Sequence, residues 1–220
     1  MSIFSKRVEK LKSIMSQKGY NAFYITNITN VRYLSGFTGS SGFLLITDEG
    51  DYFFSDGRYT EQSKHEVLDF KVHITTNHLK LINEEKLLKS NWVMSFEGNH
   101  LSFDTYSKLK TTCGLHELVA VNDVIENIAA VKDQTEIDAL QTAVDITDRV
   151  FDLILPEIKV GVTEKHIASR ISYLFMQEGG DGDSYDPIIA SGANGALPHA
   201  TPSDKKVESG DFIVMDFGSL

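Results

Sequence analysis

Between residues 21 and 121 the apolar pattern changes period again and again, and this limits the fold more than any single motif. Short apolar runs such as Ala22-Phe23-Tyr24-Ile25, Phe43-Leu44-Leu45-Ile46-Thr47 and Trp92-Val93-Met94-Ser95-Phe96 read as strands. Residues 70–74 and 115–121 read the same way, whereas residues 78–89 and 102–112 carry helical patterns. Strands that alternate with helices favour an α/β layered domain. Residues 43–47 and 52–55 flank Asp48-Glu49-Gly50-Asp51 and predict a β-hairpin. Ahead of this region Phe4, Val8, Leu11 and Met15 recur at steps of four, three and four, giving a helix with one apolar stripe that ends at Gly19. Residues 30–35 form a turn or short helix, and Asp56 caps a helix opening at Gly57-Arg58-Tyr59.

After about Val124 the pattern changes, which divides the chain into domains at 1–125 and 126–220. Asp133-Gln134-Thr135-Glu136 has the form of a capping box. Behind it Ile137, Leu140, Val144, Thr147, Phe151 and Ile154 step by three and four, predicting a long helix with that stripe inward, ending near Pro156. Thr163 caps a further helix with Ile167, Ile171, Leu174 and Phe175 on one face, stopping at Gly179 and Gly180. A strand over 185–190, a loop and a strand over 212–217 follow. The last of these does not alternate, so it is expected to be covered on both faces.

The 220 residues carry a formal net charge of -10, which opposes a nucleic-acid surface or binding to an anionic membrane. No apolar run approaches the roughly 20 residues that span a bilayer. The first residues show no signal-peptide core. The single cysteine, Cys113, excludes an internal disulfide and a cysteine-based metal site, and a reducing cytoplasm is the simplest compartment. No GxGxxG or GxxxxGK[ST] stands at a strand–helix junction, which opposes the usual nucleotide sites.

Two residues carry candidate chemistry. Asp216 interrupts the apolar run Phe212-Ile213-Val214-Met215-Asp216-Phe217. A buried carboxylate is costly unless paired or bound to a cation, so Asp216 is either a metal ligand or a strand-end aspartate facing water. His199 follows Pro198 in a loop that Gly192 and Gly195 allow to turn sharply. It is either an exposed loop residue or a proton donor near neutral pH. Asp181-Gly182-Asp183 lacks the rest of a calcium loop and reads as a polar turn. Asp56-Gly57-Arg58 reads as a helix start with an ion pair, and the other histidines stand at no ligand spacing.

The run Ala190-Ser191-Gly192-Ala193-Asn194-Gly195-Ala196-Leu197-Pro198-His199-Ala200, followed by Gly210-Asp211-Phe212-Ile213-Val214-Met215-Asp216-Phe217-Gly218, closely resembles the Xaa-Pro peptidases, the aminopeptidase P and prolidase group of pita-bread metallopeptidases. Ala130-Val131-Lys132-Asp133-Gln134-Thr135-Glu136-Ile137 resembles the junction that opens their catalytic domain. Arg32-Tyr33-Leu34-Ser35-Gly36-Phe37-Thr38-Gly39-Ser40 and Asp56-Gly57-Arg58-Tyr59 resemble their creatinase-like N-terminal domain.

This resemblance implies an α/β N-terminal creatinase-like domain, a mixed sheet with flanking helices, followed by an incomplete α+β pita-bread domain. It implies hydrolysis of the bond before proline in proline-containing peptides, two divalent metal ions (manganese or cobalt) and a homodimer in the full-length form. Asp216 matches the first metal-binding aspartate, and His199 matches the histidine that hydrogen-bonds substrate and assists proton transfer. Chains of this family continue well past residue 220 with another aspartate, a histidine and two glutamates as ligands. The 220-residue chain is therefore expected to be a truncated form without peptidase activity. Two alternatives share the fold: a creatinase-like hydrolase without metals, and a non-catalytic module that binds peptides or proteins.

Overall fold

A computed structural model describes residues 2–114 and 117–220, so the first two residues of the expected strand 115–121 lie outside the description. The chain forms two units, Met1–Val131 and Lys132–Leu220.

The first unit opens with α1 (Ile3–Lys18), capped by Ser2 and closed by Gly19 at φ 75°, a left-handed conformation that glycine adopts without strain. Then come β1 (Ala22–Ile25), α2 (Ile28–Ser35), β2 (Phe43–Thr47), β3 (Asp51–Ser55), a 3-10 turn at Gly57–Tyr59, α3 (Thr60–Glu66) and β4 (Lys71–Ile74). The unit continues with α4 (His78–Glu84), β5 (Val93–Glu97), α5 (Phe103–Cys113), β6 (Glu117–Val121) and α6 (Val124–Ala130). The six strands form one sheet in the order β4-β3-β2-β1-β5-β6. β2 runs antiparallel to both β1 and β3, and the remaining pairs are parallel. The sheet is therefore mixed, as the resemblance implied.

Successive side chains of a strand face opposite ways, and here both faces are covered. Phe23 and Ile25 of β1 join Leu44, Ile46 and Phe53 in a core with Val8, Leu11 and Met15 of α1. Ala22 and Tyr24 join Leu45 and Phe54 in a second core with Leu79, Ile82 and Leu109 of α4 and α5. Each buried Val, Leu, Ile, Phe or Met side chain here contributes about 1.5–3 kcal/mol by leaving water. Ile125 and Ile128 place α6 in the first of these cores. Helix α4 stops at Glu84, earlier than the pattern over 78–89 suggests, and Lys86 takes a positive φ of 53° just beyond it.

The end of β5 is held by charge. Glu97 is buried, and its carboxylate accepts hydrogen bonds from the backbone N–H groups of Thr26 and Asn27 at 2.7 and 2.8 Å. Asn30 Nδ2 donates to Glu97 Oε1 and to Glu126 Oε1, both at 2.7 Å. One amide thus ties α2 to β5 and α6.

The second unit begins with α7 (Gln134–Ile154), where Asp133 and Glu136 make the expected capping box. A 3-10 turn at Leu155–Glu157 follows, then α8 (Glu164–Gln177), capped by Thr163. Ile146, Val150 and Ile154 of α7 pack with Ile167, Ile171, Leu174 and Phe175 of α8. The inward face of α7 differs from the expected stripe. Ile137, Leu140, Val144 and Phe151 are 48, 55, 52 and 42% exposed, and only Ile154 of that stripe is buried. The helix carries two apolar faces roughly 100° apart at 3.6 residues per turn. Periodicity finds such faces but not which one meets α8.

The unit ends with β7 (Ile188–Ser191) and β8 (Ile213–Asp216), an antiparallel pair. Strand β8 also corrects an expectation, because its burial alternates. Ile213, Met215 and Phe217 pack on the core, while Phe212 and Val214 are 92 and 45% exposed. Among the described residues this strand is covered on one face.

Candidate functional site

Antiparallel pairing sets Ile188 opposite Asp216 and Ser191 opposite Ile213. Gly192 then turns the chain at φ 54°, with its N–H donating to the Phe212 carbonyl at 2.9 Å. A β-carbon on Gly192 would lie 2.5 Å from Asp211 Oδ1, so only glycine lets the two segments approach this closely. A 3-10 turn at Gly192–Ala196 follows, stacked over β8 where Val214 lies 3.4 Å from a β-carbon built on Gly195. The chain then runs through Leu197 and Pro198 to His199, which is exposed. His199 borders a cleft of about 170 Å3 lined by Asp186, Pro187, Ile188, Ala200, Thr201 and Pro202.

Asp216 faces out beside this cleft's Ile188 wall through their strand pairing. It is exposed, so the argument that burial makes its charge costly does not hold in this structure. Its Oδ1 accepts a hydrogen bond from the Tyr185 hydroxyl at 2.6 Å. That bond to a carboxylate, and then partial desolvation, raise the Tyr185 phenol above its ordinary value. The phenol therefore stays protonated and donates.

Beneath the loop lies a group that sequence reasoning missed. Glu164 is fully buried at the first position of α8. Its Oε1 accepts from the Ser191 N–H at 2.6 Å and the Ser191 hydroxyl at 2.9 Å. Its Oε2 accepts from the Ser203 N–H at 3.0 Å and the Ser203 hydroxyl at 2.6 Å. Asn194 Nδ2 donates to both oxygens at 3.1 and 3.2 Å. Burial alone raises a carboxyl; these donors more than offset it and hold Glu164 at about 2. An acidic residue in a first helical turn is commonplace, and its donors lie 27 to 39 residues away, so no local signal marks it.

An ion pair closes the far side. Lys205 Nζ lies 2.8 Å from Asp211 Oδ2 and donates to the Ser191 hydroxyl at 3.0 Å. Each shifts the other toward its charged form, Lys205 upward and Asp211 downward.

The remaining sequence candidates lie elsewhere. Arg58 grips Asp56 through Nε at 2.9 Å and a terminal nitrogen at 2.8 Å, a helix-start ion pair. Asp183 accepts from the Ser172 hydroxyl at 2.6 Å within a polar turn. His166 is exposed on α8. Burial pushes the Cys113 thiol up to about 11, away from thiolate chemistry. His116 lies outside the described residues.

The carboxylate of Asp216 is the right donor type for a hard divalent cation. Among the described residues, however, no group of three or more His, Cys, Asp or Glu side chains is placed to hold a metal ion. These residues alone do not form a complete metal site. No helix among the described residues is long and apolar enough to cross a membrane.

Comparison with known proteins extends over the whole chain. Residues 7–131 match the Creatinase/Prolidase N-terminal domain, and residues 138–220 match Metallopeptidase family M24. The chain is 35% identical over 215 residues to the uncharacterized peptidase YqhT of Bacillus subtilis (strain 168), covering 97% of this chain and 61% of that one. It is 31% identical over 220 residues to the Xaa-Pro dipeptidase of Pyrococcus furiosus, covering 98% and 61%. Among solved structures, the Xaa-Pro dipeptidase from Bacillus anthracis superposes with a TM-score of 0.90 at 29% identity, over 98% of this chain and 61% of that one. The chain thus spans about three-fifths of the length of these relatives.

Proposed function

The chain belongs to the Xaa-Pro peptidase family, carrying its creatinase/prolidase N-terminal domain and the start of an M24 metallopeptidase domain, and on that premise we propose that the whole protein hydrolyses the peptide bond preceding proline. The observation that carries this reading is the β7–β8 pairing. It sets Asp216 opposite Ile188, which lines the cleft bordered by His199.

In this reading Asp216 is one ligand of a centre of two manganese or cobalt ions whose other ligands lie outside these 220 residues. His199 donates a hydrogen bond to substrate and assists proton movement as the scissile bond breaks. Water supplies a hydroxyl to the acyl carbon, the C–N bond to proline breaks, and the prolyl nitrogen takes up a proton. The exposed His199 ring on a tightly held loop suits that task, because it reaches a substrate without itself being buried. The protein acts in the cytoplasm as a homodimer, and the 220-residue chain alone is inactive, since it supplies one of five implied ligands.

The test is an assay of the full-length protein with added manganese on an Xaa-Pro dipeptide and on a longer peptide with proline in second position. Cleavage before proline that is abolished by Asp216→Asn and reduced at least about 100-fold by His199→Ala is expected. A full-length protein that leaves both substrates intact sinks the proposal. Manganese-dependent cleavage by the 220-residue chain contradicts its assigned inactivity.

A further inference from the structure

We infer that Glu164 is the positioning residue that fixes the loop bearing His199, an inference that rests on the reading of His199 as a substrate-facing group. All the donors to the Glu164 carboxylate described above belong to Ser191, Asn194 and Ser203. These residues stand at the start, the first turn and the end of that loop. The segment leaves β7 at Ser191 and returns to α8 at Ser203, where Lys165 N–H donates to the Ser203 carbonyl at 3.1 Å. One buried anion therefore closes the loop at both ends.

From Asn194 the constraint continues through the backbone. Leu197 N–H donates to the Asn194 carbonyl at 3.0 Å, and Ala200 N–H donates to the Leu197 carbonyl at 3.3 Å. Ala200 is buried directly beside the exposed His199. The chain of contacts Glu164, Asn194, Leu197, Ala200 ends at the residue that follows His199. An ionised carboxylate accepts at both oxygens and donates nothing, which is what this ring of donors requires. Glutamine in its place turns one acceptor into a donor facing other donors, so one side of the loop must let go. Aspartate is one methylene short and reaches only one end.

The experiment uses the full-length protein with Glu164→Gln, Ser203→Ala, His199→Ala and the doubles that combine His199→Ala with each of the first two. We measure kcat and KM on an Xaa-Pro dipeptide, and hydrogen exchange of the backbone over residues 191–203. Glu164→Gln is expected to lower kcat about 10- to 100-fold with a smaller change in KM, as displaced catalytic groups do. It is also expected to raise exchange within 191–203 while the α7 amides keep theirs. Ser203→Ala, which removes one hydroxyl donor, moves both readouts the same way by less. In the doubles the loss is expected to be close to that of His199→Ala alone, because Glu164 acts through that residue.

Losses that simply multiply in the doubles overturn the inference, as does a Glu164→Gln or Ser203→Ala protein with wild-type kcat. Should Glu164→Gln fail to fold, the Ser203→Ala cycle decides. If the wild-type protein cleaves no Xaa-Pro bond, the functional reading has failed separately. The exchange data then decide alone: faster exchange confined to 191–203 supports the anchoring, and unchanged exchange refutes it.

Discussion

The Tyr185 hydroxyl donates to Oδ1 of Asp216 across 2.6 Å, linking the residue three before β7 to the last residue of β8. A phenol that donates to a carboxylate loses that partner's favour when it ionises. Its pKa therefore rises, and the folded form binds the proton more tightly than the unfolded chain. The stabilisation is present below about pH 10 and is lost as pH rises through the raised value. Tyrosine titration by carbon NMR should find Tyr185 ionising above the ordinary range, and Asp216→Asn should bring it back toward 10. A phenol already at 10 in the wild type removes the case for this bond in solution.

The two apolar faces of α7 should differ in thermodynamic weight. Ile146 is buried against α8, whereas Leu140 is 55% exposed. In the 220-residue chain Ile146→Ala should cost about 2–5 kcal/mol by urea unfolding. Leu140→Ala should stay within about 0.5 kcal/mol. Equal costs contradict the packing described for this helix.

His78 at the start of α4 is held neutral. Burial lowers its pKa to about 4, and its Nε2 shares a hydrogen bond with Tyr24 Oη at 2.6 Å while its ring stacks on Phe43 at 4.1 Å. The unfolded chain takes up this proton near pH 6.5, and the folded one does not until about 4. Stability from this group is thus complete above pH 6.5 and falls as pH drops toward 4, by up to about 3 kcal/mol. His78→Phe should flatten that part of the stability–pH curve. An unchanged slope between pH 6.5 and 4 argues against a buried neutral imidazole.

Asn30→Ala removes the amide that donates to both Glu97 and Glu126. It leaves a buried carboxylate short of one donor and facing a second anion. The expected loss is about 1–3 kcal/mol by chemical denaturation. Adding Glu126→Gln should restore part of it, since one of the two facing charges is gone. No recovery in the double variant means that the loss comes from packing instead.

Much of the architecture was legible because local chemistry announces it. Gly19 closes α1, Asp133 and Glu136 box α7, and Thr163 caps α8, each through bonds within a few residues. The resemblance across the chain likewise ran through contiguous motifs, and the matches over 7–131 and 138–220 agree with it. Helix α6 was not foreseen, because Val124–Ala130 is a single short segment whose burial depends on the sheet beneath it. The covering of the 212–217 strand was misjudged, because an apolar run reports composition and not which faces are covered.

By itself the sequence determined the order of the elements other than α6, the main helix caps and the two positions, His199 and Asp216, on which the functional proposal rests. Those depend on spacing along the chain and on residue type. Only the tertiary structure decided that Ile146, Val150 and Ile154 face inward, that Asp216 stands in water with Tyr185 as its donor, and that Glu164 ties down the His199 loop. Each of these is a relation between residues far apart in sequence. The free energy of such a contact depends on which surfaces and donors the folded chain brings within a few ångströms, and no local pattern carries that information.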